Sequence, residues 1–228
     1  MKALKMNNSH ILGAVAAGLL LSAQAMALPV VVTGFEYPSN PTTVRIQNVS
    51  PAASAHVYAG GFLTEAGGNS FTSWCVDIFQ QTNFGQTVNN YTQTSGLAAL
   101  GAAKTQALGQ LATQAYSQIV NAATSGAFQI AIWEILNETA GNAYNLASGN
   151  FKGTNGTNGS IALAQSWLNN LGGPNHYAIS VWQSPTRQDL AVFSRVTVPE
   201  AGSLTMLGLG LLIAGFAVRR RMVPSRQN

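Results

Sequence analysis

Cysteine is nearly missing from this chain: Cys75 is the only one in 228 residues. That excludes an internal disulfide framework and any zinc site built on paired cysteines. Histidine is scarce as well, and His10, His56 and His176 are too far apart in sequence to suggest a metal cluster. Charge is sparse, at 8% of residues, and the formal +4 is concentrated at the ends. Between Leu28 and Val198 the basic residues are Arg45, Lys104, Lys152, Arg187 and Arg195, against Glu36, Glu65, Asp77, Glu134, Glu138 and Asp189. This body is close to neutral, so the high isoelectric point gives no reason to expect a nucleic-acid partner. There is no glycine-rich phosphate loop and no internal repeat. Neither a metal nor a cofactor is expected. A body this poor in charge and rich in Asn, Gln, Ser, Thr and Gly has the composition of an extracellular protein.

The two ends carry their own signals. Residues 1–27 place Lys2 and Lys5 before an apolar core from Ile11 to Leu21, then Ala25-Met26-Ala27 as a small-x-small cleavage site, the pattern of a secretory signal peptide. At the other end, Pro199, Glu200 and Ala201 precede an apolar run to Val218, followed by Arg219, Arg220 and Arg221. The uncharged stretch is at the short end of what spans a bilayer, and the arginines should stay cytoplasmic, which leaves the body outside. This tail, 199–228, resembles the PEP-CTERM sorting signal of exported proteins in Gram-negative bacteria that make extracellular polysaccharide. Ala201 stands where that family usually has a second proline. The resemblance implies passage through the secretion machinery, transient arrest in the inner membrane, and recognition by an exosortase that removes the helix. The product would be released to the cell surface or beyond.

Between these ends, 28–198 reads as one α+β domain, a short-stranded β-sheet or barrel with a helical insertion. VVVTGFEY, TVRIQNV, HVYAGGFLT and FTSWCVDIF are β-branched or aromatic runs punctuated by Pro, Gly, Asn and Ser. Strand alternation would set Trp74, Val76 and Ile78 against Ser73, Cys75 and Asp77. The polar stretch 80–95 reads as a loop or irregular hairpin. Helices are expected at 97–122, at about 126–139 with Thr124 or Ser125 as N-cap, and from Ser160 to Leu171. The tract 153–159 reads as a flexible loop, and YAISVW and DLAVFSRVTV as closing strands.

Two residues are out of place in this pattern. Gln129 shares a helix face with Ile132, Trp133 and Leu136, and an unpaired buried amide costs about 1–3 kcal/mol. Cys75 sits in an apolar strand, where a free cysteine commonly serves as a small hydrophobe. If the two meet, the thiol could displace ammonia from the carboxamide and leave an internal thioester, an electrophile that an amine or hydroxyl of another molecule could open. The segments Trp74-Cys75-Val76-Asp77 and Phe128-Gln129-Ile130-Ala131-Ile132-Trp133 resemble the two motifs of the thioester domains of bacterial surface adhesins, with Phe128 where that family has threonine. The resemblance implies Cys75 as thiol and Gln129 as acyl donor, with Trp74, Asp77, Phe128, Ala131, Ile132 and Trp133 in support. It implies covalent adhesion, with extracellular polysaccharide or a surface amine or hydroxyl as partner, and no turnover catalysis. Two other readings stay open: a non-covalent biofilm matrix protein in which both residues are packing, and a cysteine hydrolase pairing Cys75 with His56 or His176.

Overall fold

The structure, a computed structural model, describes residues 27–196. The signal segment, apart from Ala27, and the sorting tail 199–228 lie outside the described residues. No helix among the described residues is long and apolar enough to cross a membrane.

The described residues form nine strands and four α-helices: β1 (Leu28–Phe35), β2 (Thr42–Asn48), β3 (Ala53–Ala59), β4 (Phe62–Ala66), β5 (Asn69–Cys75), β6 (Thr87–Ser95), α1 (Gly96–Leu100), α2 (Ala102–Ala115), α3 (Ala122–Asn137), β7 (Phe151–Thr154), α4 (Ser160–Asn169), β8 (Tyr177–Gln183) and β9 (Leu190–Arg195). Six strands close a barrel in the order β1-β4-β5-β9-β8-β6, and β3-β2-β7 form a separate sheet. All pairings are antiparallel. The four helices all fall between β6 and β8, so the expected helical insertion is present.

Several local expectations change. The segment 80–95 contains β6, a full barrel strand between β1 and β8. Its polarity hides it, because along β6 only Tyr91 is fully buried. The helix expected at 97–122 is broken at Gly101, whose φ of 82° only glycine adopts without strain. The run HVYAGGFLT is two strands, parted at Gly60-Gly61. Asn121, not Thr124 or Ser125, caps α3: its side chain accepts from Thr124 N–H while Thr124 Oγ1 accepts from the Asn121 backbone, a reciprocal capping box. In the tract 153–159, Gly153 and Thr154 pair with β2 as part of β7.

Helix α3 is the centre of the molecule. Every residue from Ser125 to Leu136 is buried, so the helix is enclosed on all sides and the single apolar face expected of it does not exist. Its first turn is seated on the strands by close contacts. Thr42 Oγ1 donates to Ala122 O at 2.9 Å, and Gly61 N–H donates to Ser125 Oγ at 2.9 Å. A Cβ on Gly126 would lie 2.4 Å from Thr42, so the approach depends on that glycine. Behind this seat Phe128 packs edge-on against Trp74 at 4.7 Å and against Tyr116 and Phe193 at 5.5 Å.

Candidate functional site

The last pair of the β4–β5 ladder is Phe62 with Ser73. On the opposite edge β5 continues against β9 through Trp74–Ala191 and Cys75–Leu190, and Val76 N–H then donates to Asp189 O. Because strand groups alternate sides, the N–H and C=O of Cys75 face the edge that β4 has already left. Buried there, they would lack partners.

Gln129 fills that gap. Its Oε1 accepts from Cys75 N–H at 3.0 Å, and its Nε2 donates to Cys75 O at 2.8 Å. The carboxamide therefore stands in for a peptide unit of the missing strand. This also answers why a glutamine is tolerated in an apolar helix: both of its polar atoms meet one backbone edge of matching polarity. Cys75 and Gln129 are each about 1% exposed.

The thiol has its own partners. Trp133 Nε1–H, one turn along α3 from Gln129, donates to Cys75 Sγ at 3.3 Å, and Sγ–H donates to Asp77 O at 3.2 Å. The same carbonyl accepts from Gln188 Nε2 at 3.1 Å. Burial pushes the Cys75 thiol up to about 12, against the smaller opposing pull of the Trp133 N–H, the Asp77 backbone and Gln188. The sulfur is therefore a protonated thiol at neutral pH.

Of the eight residues expected here, the structure brings four together: Cys75, Gln129, Trp133 and Asp77. Asp77 contributes through its backbone carbonyl, while its carboxylate accepts from Phe79 N–H at 2.8 Å. Trp74 and Phe128 form the aromatic packing behind the site, and Ala131 and Ile132 are core residues with no polar role. Ser73, Trp74 and Cys75 are all buried, so β5 is covered on both faces at this end.

Cys75 and Gln129 line the floor of a 380 Å³ cleft. Its walls are aromatic, from Phe35, Phe62, Tyr58, Phe79 and Phe84, and its polar lining consists of Gln80, Gln81, Thr82 and Gln188. Nothing in the sequence marks these residues as a group. They come from β1, β3, β4, the β5–β6 loop and the β8–β9 loop. Neither His56 nor His176 lines the cleft. Among the described residues, no group of three or more His, Cys, Asp or Glu could hold a metal.

Glu134 and Glu138, one turn apart near the end of α3, address a different region. Glu134 Oε1 accepts from Asn145 N–H at 2.6 Å, while its buried Oε2 has no partner. Burial raises its pKa to about 7. Glu138 accepts from Thr139 N–H, Asn142 Nδ2 and Asn150 N–H, tying down the loop that follows α3. Both are buried.

No curated protein matches the sequence. Two solved structures of the N-terminal thioester domain of a surface protein from Clostridium perfringens are similar in structure. One, carrying a cysteine-to-alanine substitution, has 13% identity and a TM-score of 0.43, covering 60% of this chain and 89% of its own. The other has 12% identity and a TM-score of 0.37, covering 67% and 99%. At that level the likeness carries no function over to this chain. Residues 197–221 match the family described as the PEP-CTERM protein-sorting motif. The chain thus carries a PEP-CTERM sorting signal, which implies export and exosortase-dependent sorting to the cell surface or the extracellular space.

Proposed function

We propose that this is a surface protein that attaches covalently through an internal thioester between Cys75 and Gln129. The observation that supports the reading most is the clasp of the Gln129 amide by the backbone of Cys75, at the floor of an open cleft. In thioester formation Sγ attacks Cδ of Gln129, the Cδ–Nε2 bond breaks, and the thiol proton leaves on nitrogen as ammonia. Cys75 N–H already points at Oε1, where negative charge develops in the tetrahedral intermediate. Fixed proximity offsets the weakness of a protonated thiol as nucleophile, since an intramolecular reaction can gain roughly 7–11 kcal/mol from pre-organisation. The bond is made once and spent once, so the protein is not an enzyme. An exported polysaccharide or a surface amine or hydroxyl is the proposed acceptor.

Intact-mass measurement tests this. Protein prepared at neutral pH without added amine is expected to be lighter than its sequence mass by one ammonia and to regain mass as an adduct with methylamine. A mass equal to the sequence mass, with Cys75 freely alkylated in the folded state, refutes it. One observation favours a second reading, a non-covalent matrix protein: Gln129 is fully satisfied without any reaction. The same measurement separates the two. A hydrolase has less support, because no histidine lines the cleft and the thiol is far from ionised.

A further inference from the structure

Among the described residues no charged side chain lines the cleft. The carboxylates closest in sequence to its walls are engaged elsewhere: Asp77 with Phe79 N–H, Asp189 with Ser184 N–H, and Glu36 with Thr72 Oγ1. An ammonium entering the cleft would shed water with no anion to meet it. No imidazole is present to take a proton from a hydroxyl, and hydroxyls are much poorer nucleophiles than amines toward a thioester. The acceptor that meets both constraints is an amine of low basicity.

An alkylamine of the lysine type has a pKa of about 10.4, so fewer than about one in a thousand is neutral at pH 7. An amine flanked by electron-withdrawing C–O bonds behaves more like an α-amino group, at about 7.7–8.0, and about a tenth is neutral. The walls add a second criterion. Tyr58, Phe79 and Phe84 are 58%, 49% and 47% exposed, large aromatic surfaces at the mouth. Beside them stand side chains that both donate and accept hydrogen bonds without charge, Gln80, Gln81, Thr82 and Gln188. Aromatic faces interleaved with neutral amides suit a ring that has apolar C–H faces and hydroxyl edges.

Resting on the thioester reading, we propose that the cleft takes the free amine of a 2-amino sugar, as displayed by a partly de-N-acetylated polysaccharide. The neutral amine attacks Cδ of Gln129, an N–Cδ amide bond forms and the Cδ–Sγ bond breaks. The electron pair stays on sulfur and the proton released by nitrogen joins it, regenerating the Cys75 thiol. At a thiol pKa of about 12 the sulfur holds that proton without help from a base.

The test is a competition at pH 7 read by intact mass. Wild-type protein is offered equal concentrations of a glucosamine oligomer and a lysine peptide with a blocked N-terminus. The same pair is offered to a simple alkyl thioester in solution, which gives the preference due to amine basicity alone. The protein is expected to favour the amino sugar by at least about tenfold more than the free thioester does. Phe84→Ala should shrink that excess; the wild-type competition stands by itself if the variant does not fold. A preference no greater than the free thioester's, or labelling by the fully N-acetylated oligomer, overturns the amino-sugar proposal while the missing ammonia keeps the thioester. A mass showing no loss of ammonia overturns both.

Discussion

Helix α3 buries polar side chains midway along it, at Gln129, and toward its C-terminus, at Glu134, by opposite means. At Gln129 a neutral group meets a backbone edge of matching donor and acceptor, and both polar atoms are satisfied. At Glu134 a carboxyl group enters an equally dry place with only one oxygen matched, and burial holds its pKa at about 7. The first arrangement is independent of pH. The second carries less charge the lower the pH falls below about 7. What distinguishes the Gln129 position is thus its neutrality: the amide, the thiol and the side chains lining the cleft above them are all uncharged.

The sharpest way to break that contrast is to remove either member of the pair. Cys75→Ala and Gln129→Ala should each abolish amine labelling and restore the sequence mass. In stability they should part company. Cys75→Ala keeps the peptide groups that clasp the amide, whereas Gln129→Ala strands a buried N–H and C=O, at about 1–3 kcal/mol each. Chemical denaturation should therefore show Gln129→Ala as the more damaging by about 3 kcal/mol. Equal losses would mean that the clasp contributes nothing.

At Glu134 the lever is pH. The carboxyl of Glu134 is raised from 4.5 in the unfolded chain to about 7 in the fold. Between those values the native state binds more protons than the unfolded state. Its contribution is fully present below about pH 4.5 and is lost as pH rises through about 7, on the order of 3 kcal/mol. Glu134→Gln should flatten that decline, which thermal melts from pH 5 to 8 can follow. The Gln129 position should show no such slope.

The smallest effect is expected from Trp133→Phe. Removing the indole N–H from Sγ should cost about 0.5–1.5 kcal/mol in stability. It should also slow the first loss of ammonia in newly folded protein, while leaving the final mass unchanged. A rate of ammonia loss equal to wild type would make Trp133 a packing residue only.

How much of this could be read in the sequence depends on the range of the interactions. Gln129 announced itself because one amide in AIWEIL-type surroundings violates a local rule, and Cys75 because it is alone. The strand–helix–strand order likewise followed from local periodicity. By contrast, β6 was hidden, since a strand with a single buried residue looks like a loop. Gln188 was hidden for another reason: it reaches the sulfur's neighbourhood only because β8 and β9 close the barrel beside β5. The manner in which Gln129 meets Cys75 is not legible either: the amide's hydrogen bonds run to the backbone of Cys75, and only the early end of β4 makes that backbone available.

The route of mechanical tension follows from the barrel's order. The sorting motif begins two residues after Arg195, the end of β9, so a pull on the C-terminus enters the domain through that strand. It enters beside Tyr177, at the end of β9 remote from the site. Only after the ladder has yielded along its length does the load reach Leu190, the residue opposite Cys75. Any load entering from the sorting signal would therefore cross the β9 ladder before it reached the proposed covalent grip.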